Sequence, residues 1–416
     1  MNSRHALTRG LLVLALSSGL AAAVSTSGCT SSAQGQTATG TSPRWAITAN
    51  DNKQFLDKGV LSVLPGPLPA DTMSVIDLST NKVVADIPVP GSVQGPPLSV
   101  AITPDETLAL VTSAEKINPA DPTKVIPDNR VTIVDLTVMP PVVIGTVTAG
   151  DQASGISISK NGKLAMVANR NAGSVSVFTI AGKTVTPAGT VVVGDQTKMP
   201  PEGKATAHVV ISPDAKLAIT TNDGDSRLTL LSIDPATNAV TRVRDFWAGV
   251  RPYSIDIANN GKFAVTGNNG NAQGDVDTMS LIDLEAPTMD KIRVVDTVSI
   301  GLTPEGVKIA PDSTYAVAIM ENGSNKATTF PWYSPKGKLV AVKIDGKTLK
   351  KVSEVDIGGW CQGAAFTADS KKIFVGCMME KDVEVIEWDG NALKSTGTHI
   401  ALSGGPAAIR TAERAP

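Results

Sequence analysis

Five polar residues, Ser154, His208, Tyr253, Glu305 and Gln362, stand 45 to 57 residues apart, each at the start of a short apolar segment. Arg251 and Trp360 lie two residues upstream of Tyr253 and Gln362, and Ser99 opens a similar segment earlier in the chain. A hydroxyl, imidazole, phenol, carboxyl, amide and guanidinium brought together could hold a small polar ligand or an oxygen-liganded cation such as Ca2+. A second set follows other apolar segments: Asn50, Asp51, Glu115, Asn169, Arg170, Asn222, Asp223, Asn268, Asn269, Glu321, Asn322 and Glu380. From both sets, Ser154, His208, Arg251, Tyr253, Glu305, Gln362, Asn222 and Asn269 form the candidate ligand-binding group. The alternative is structural, because Asn and Asp are ordinary turn formers and any water-filled channel needs polar walls.

A Ser-His-acid arrangement around His208, with Ser154 or Ser254, would let the imidazole take a hydroxyl proton. No nucleophile elbow accompanies those residues, so no catalytic residue is assigned. Three dispersed histidines and three cysteines leave no His/Cys metal cluster. A hard-cation site from Glu305, Asn222, Asp223 and Asn269 remains open.

The elements that must position these groups come from a repeat. A six-residue pattern recurs seven times, as "MSVIDL" from Met73, "VTIVDL" from Val131, "VSVFTI" from Val175, "LTLLSI" from Leu228, "MSLIDL" from Met279, "LVAVKI" from Leu339 and "VEVIEW" from Val383. Each reads as a strand buried on both sides. Hairpins such as "SGISISKNGKLAMVAN" and "AHVVISPDAKLAITTN" accompany it, with Asn-Gly or Pro-Asp type turns. Ile102, Ile158, Ile211, Ile257, Ile309, Phe366 and Ile409 are matched points 43 to 57 residues apart, a spacing that suits four-stranded propeller blades. The spacing predicts an all-β, seven-bladed β-propeller over residues 44–416. "GGPAAIRTAE" supplies one strand of a last blade whose other strands begin with "RWAITAN". In such a ring the first strand of each blade lines the central channel, and the candidate group gathers at one mouth. Two long insertions, 51–72 and 321–337, should rise over that mouth; the second carries Phe330, Trp332 and Tyr333, to cap a ligand, anchor a partner or pack onto neighbouring blades.

Residues 44–410 resemble the YVTN family of bacterial β-propellers, most closely through "SVIDLSTNKVVADIPV" and "GISISKNGKLAMVAN". The name-giving tetrapeptide is eroded here to "LVTS", "MVAN", "ITTN" and "VTGN". The resemblance implies the fold and an extracytoplasmic setting, and says little about activity.

Arg4, His5 and Arg9 followed by "GLLVLALSSGLAAAV" read as an export signal over residues 1–28, with a low-complexity tether over 29–43. "STSGC" resembles a lipobox that would lipidate Cys29, whereas Ala21–Ala23 would suit ordinary signal peptidase. The protein is then periplasmic, or an outer-membrane lipoprotein touching membrane only through that lipid. Cys361 and Cys377 flank a tight hairpin and would face each other as a disulfide in an oxidising compartment. With 37 basic against 39 acidic residues and no basic run in the body, nucleic acid is not an expected partner. The leading expectation is a noncatalytic module at the cell envelope, binding a protein or small molecule through its loop-rich face. The alternatives are a lactonase-like hydrolase with a channel-mouth cation, or the propeller subunit of a periplasmic dehydrogenase.

Overall fold

A computed structural model describes residues 42–198 and 204–414. The export signal, Cys29 and nearly all of the tether lie outside the described residues.

Seven four-stranded antiparallel sheets form the blades of a propeller. From the channel outward, blade 1 is Gly405–Thr411, Trp45–Asp51, Thr72–Asp77 and Lys82–Pro88. Blade 2 begins at the channel with Val100–Ile102, blade 3 with Ala153–Ile158, blade 4 with Thr206–Ile211, blade 5 with Pro252–Ile257, blade 6 with Pro304–Ile309 and blade 7 with Cys361–Phe366. Each of these inner strands touches its neighbours in cyclic order, and Gly405–Thr411 bridges blades 7 and 2. Helix among the described residues is limited to the single turns Asp223–Asp225 and Met289–Lys291.

The ring follows from the residue alternation. In Leu164–Asn169, Ala165 and Val167 face a core shared with Leu108, Leu110 and Ile133 of blade 2. Leu164, Met166 and Ala168 face a second core, with Val209, Ala218 and Leu231 of blade 4. One strand thus supplies two inter-blade cores, and a lone sheet would leave both faces wet. Each fully buried Leu, Ile or Met contributes about 1.5–3 kcal/mol, so burial is complete only when blades encircle an axis. The ends close it: Ile47 pairs with Arg410 and Thr48 with Ile409, antiparallel, with a bulge beside Asn50.

Cys361 and Cys377 face each other across the first two strands of blade 7 and are joined by a disulfide. The two insertions meet: a Cβ on Gly59, at the tip of the Gln54–Asp57/Val60–Val63 hairpin, would lie 2.4 Å from the Ala327 nitrogen. Phe330 and Trp332 touch edge to face with ring centroids 5.7 Å apart, and Trp332 reaches Gly274 of blade 5 while staying 57 % exposed.

Candidate functional site

The site sits where the inner strands begin, here called the upper mouth. Gln152, Arg251, Thr303 and Trp360 each immediately precede an inner strand, and all four adopt left-handed backbone with φ between 50 and 59°. For residues other than glycine such angles cost of order 1 kcal/mol or more, and they turn the chain into the channel. One step on, the pairing is interrupted. Pro252 pairs with Asn268 and Ser254 with Gly267, leaving Tyr253 as the extra residue of a bulge; Glu305 is its counterpart between Pro304 and Gly306. A bulge re-aims a side chain, and here it supplies the channel wall with a phenol and a carboxyl.

The second strands bring their partners. Arg170 directly follows Leu164–Asn169 and Asp223 follows Leu217–Asn222. The Arg170 guanidinium donates to both Asp223 oxygens at 3.3 Å and lies 5.5 Å from the centre of the Tyr253 ring. Arg251 Nη2 reaches Asp223 Oδ2 at 3.4 Å. Asn269 Nδ2 donates to Glu305 Oε2 at 3.5 Å, and Gln362 Nε2 donates to Glu321 Oε1 at 3.2 Å. Ser324 Oγ donates to the Glu321 main-chain carbonyl at 2.7 Å, lies 3.4 Å from Glu321 Oε2 and accepts from the Trp360 amide at 2.9 Å. The group therefore joins blades 3 to 7.

Electrostatics divide these acids. Burial pushes the Glu305 carboxyl up to about 7 despite Arg170, Asn269 and Arg251, while the side chain keeps an edge open to the channel. Burial, then the nearby Glu305, holds the Glu321 carboxyl well above the usual carboxyl range. Burial, with Glu305 next, likewise keeps the Tyr253 phenol neutral. Burial works against the Arg170 charge, but the paired Asp223 carboxylate outweighs it and raises its pKa.

A floor closes this chamber from below. Residues 91–98 leave blade 1 and cross the channel before blade 2 begins. Gly95, at φ 103°, passes so close to blade 3 that a Cβ would lie 2.1 Å from Ser154 Oγ. Pro97 lies against Gly306 and Gly363, whose added Cβ atoms would fall 2.9 and 3.1 Å from it. The Leu98 carbonyl accepts the Ile156 amide at 2.9 Å, and Asp51 holds the Val93 amide at 3.0 Å.

Among the nominated residues, Arg251, Tyr253, Glu305, Gln362 and Asn269 come together at this mouth. Ser154 occupies the position of Tyr253 in blade 3 and lies against Gly95 of the crossing segment. His208 lines the channel but below the floor, bordering a small cavity with Asp256, Arg410 and Glu413. In blade 4 the bulge between Thr206 and Val209 places Ala207 at the level of Tyr253, one residue short of the histidine. Asn222 is held within its own blade: its Nδ2 donates to Thr229 Oγ1 and its Oδ1 accepts from Thr206 Oγ1, both at 2.9 Å. The same pin recurs at Asn50, Asn169 and Asn268, each donating to hydroxyls on the third strand of its blade. Gly249 is required beside one of them, since a Cβ would lie 2.5 Å from Asn268 Cγ. Asn268→Ala, which removes two hydrogen bonds of 2.9 Å, should therefore cost roughly 1–3 kcal/mol in urea unfolding without altering ligand binding.

Arg170, Asp223 and Glu321 belong to the wider second set of mouth residues, Asp223 also to the candidate cation set, and each follows one of the eroded tetrapeptides or its equivalent. Oxygen donors for a cation exist at Glu305, Glu321 and Asn269, but the two guanidinium groups beside them oppose a dication, and Asp223 is committed to those arginines. The residues present do not fit a divalent cation. A Cys377, Asp382 and Glu384 group also has ligand-like spacing, but the Cys377 sulfur is in the disulfide. His399, on the outermost strand of blade 7, pairs with Asp382 at 2.7 Å.

Fold and site together define a seven-bladed β-propeller with an acid and guanidinium-lined chamber at one mouth. A family model described as "Lactonase, 7-bladed beta-propeller" matches residues 128–254. Among solved structures the chain is similar to a candidate 6-phosphogluconolactonase from Bacteroides fragilis, at 15 % identity and a TM-score of 0.64 over 89 % of this chain and 98 % of that one. It is similar to the periplasmic gluconolactonase of Pseudomonas aeruginosa, at 15 % identity and 0.63 over 89 % and 99 %. It also resembles hydrazine synthase of Kuenenia stuttgartiensis, at 19 % identity and 0.54 over 72 % and 79 %. At these identities the likeness establishes the fold. Comparison with curated protein sequences finds no match.

Proposed function

We propose that the upper chamber hydrolyses a small cyclic ester of a polyhydroxylated acid. The carrying observation is a carboxyl poised near neutrality, Glu305 at about 7, facing two guanidinium groups held by one aspartate. A general base is most effective when its pKa lies near the working pH. The ionised Glu305 takes a proton from water as the water oxygen bonds to the ester carbonyl carbon. Charge gathering on the carbonyl oxygen is stabilised by Arg251, whose side chain is 42 % exposed, with Arg170 behind it. The ring C–O bond then breaks, and the alkoxide takes back from Glu305 the proton that the water gave up, giving the hydroxy acid.

The segment matched by the lactonase family model contributes Arg170, Asp223, Arg251 and Tyr253 to the chamber. Two of the structural neighbours bear gluconolactonase names, which favours sugar lactones as substrates and a hydrolase over a noncatalytic module. Because the chamber's charges oppose a dication, the hydrolase proposed here differs from the alternative above in needing no channel-mouth cation. An extracytoplasmic setting, with or without a lipid on Cys29, accords with the Cys361–Cys377 disulfide, as paired thiols persist in oxidising compartments.

The purified protein should accelerate opening of glucono-δ-lactone above the spontaneous rate, measured by pH-stat, with full activity after treatment with EDTA. Failure to turn over a panel of sugar lactones would remove the proposal. Activity lost to EDTA and restored by Ca2+ would replace its guanidinium chemistry with a cation.

A further inference from the structure

Below the floor, the inner strands carry a second charged group that the hydrolysis does not use. We propose that the lower mouth is a carboxylate-binding site, built by Lys160, Lys308 and Arg410 and filled in cis by the exchangeable side chain of Glu413.

Its cations come from three blades. Lys308 and Asp256 stand three residues beyond Glu305 and Tyr253 on the same strands, roughly 10 Å further along the channel. Lys160 follows the inner strand of blade 3, and Arg410 belongs to the closing strand of blade 1. Glu413 lies two residues past that strand and belongs to no sheet. Its Oε2 meets Lys160 Nζ at 3.0 Å, its Oε1 forms a close ion pair with Lys308, and Arg410 Nη1 is 3.7 Å away. Asp256 cannot balance this charge alone, because one oxygen accepts the Ile309 amide at 2.8 Å and both lie 3.2 Å from Lys308.

Two features make the glutamate look like an occupant and not a fixed wall. The three cationic side chains are only 5 to 11 % exposed, whereas that of Glu413 is 30 % exposed, so the basic groups are fixed in the wall while the anion reaches them from the solvent side. Arg410 Nη1 is buried without a hydrogen-bond partner, and neither ring nitrogen of the fully buried His208 meets a hydrogen-bonding side chain. Glu413 therefore satisfies the site incompletely. A cavity of about 380 Å³ adjoins it, bordered by Lys160, Lys308, Asn259 and Phe366, large enough for a small organic acid. The next residue, Arg414, is anchored separately, through Nη2 to Glu106 at 2.7 Å and Nε to the Pro104 carbonyl at 2.9 Å. Loss of the Glu413 carboxylate therefore leaves the segment tethered.

The test is rescue of Glu413→Ala in the full chain by sodium acetate, read as melting temperature against sodium chloride at equal ionic strength. In chloride the variant should melt roughly 5 °C below wild type, because buried cations lose their partner. Acetate should recover at least about half of that shift saturably, leave wild type unmoved, and lose its effect when Lys308→Met is added. Glu413→Asp keeps the charge but draws it back by one methylene, and should show a smaller shift of the same sign should the alanine variant not fold. Absence of acetate-specific stabilisation in both variants, or an equal response in wild type, would overturn the proposal.

Discussion

Glu305→Gln should lower kcat/KM for lactone opening by about 10²–10⁴-fold while making the protein more stable at alkaline pH. The two effects share one cause. Burial raises this carboxyl from 4.5 to about 7, so between those values the folded chain keeps a proton that the unfolded chain releases. Stability falls with pH wherever the folded state binds more protons. The burden of Glu305 is therefore absent below about pH 4.5, grows across the interval and is complete above about 7. Glutamine cannot ionise and escapes it, so the variant should match wild type at pH 4 and exceed it at pH 8 by on the order of 1–3 kcal/mol. Wild-type kcat/KM should rise about tenfold per unit on the acid side of 7 and then level, as the base form fills. Paired pH–rate and urea-unfolding series measure both. A residue that only supported the wall would lose stability when replaced and leave the pH profile in place. Activity within about threefold of wild type would exclude Glu305 as the base.

The ring was legible because it is a property of alternation. The matched points, six isoleucines and Phe366, fall on the inner strands, and counting them gives the blades. Tyr253, Glu305 and Gln362 were legible for the same reason, since each is the second residue of its inner strand. His208 is off by one residue: the same bulge recurs in blades 3 to 7, and His208 stands three residues before its matched point Ile211 where Tyr253, Glu305 and Gln362 stand four before theirs, so the counterpart is Ala207. Residues 91–98 have no counterpart in other blades, so the repeat gives no hint that "GSVQGPPL" crosses the channel. The lower charged group was missed for a different reason. Asp256, Lys308 and Arg410 each adjoin a matched isoleucine, and a charge alternating with apolar residues ordinarily reads as solvent-facing. In a channel wall the same alternation points it at the charges of other blades, a pairing between residues 52 to 253 positions apart.

The closing strand carries the largest structural wager of this fold. Gly405–Thr411 comes last in the described chain yet lies innermost in blade 1, and it joins blades 7 and 2 through its neighbours. Ile409 is fully buried among Ala46, Ala365, Phe374 and Val385, so its side chain belongs to the core between blades 7 and 1. Ile409→Asp removes that apolar burial and places an unpaired carboxylate in its stead, costing at least about 4 kcal/mol against a usual total of 5–15. Opening the ring then exposes the pairing edge of Trp45–Asp51 and the faces of two blades at once. The variant should accordingly be recovered insoluble, or be cleaved rapidly in limited proteolysis. Ile409→Val, which removes one methylene, should lose only about 0.5–1.5 kcal/mol and stay folded. Ser395→Asp, on the exposed outer strand of blade 7, should remain within about 0.5 kcal/mol of wild type. A soluble, protease-resistant Ile409→Asp would mean that blade 1 holds without its closing strand. Arg410 and Glu413 would then lose the element that fixes them, and the lower mouth would no longer be a built site.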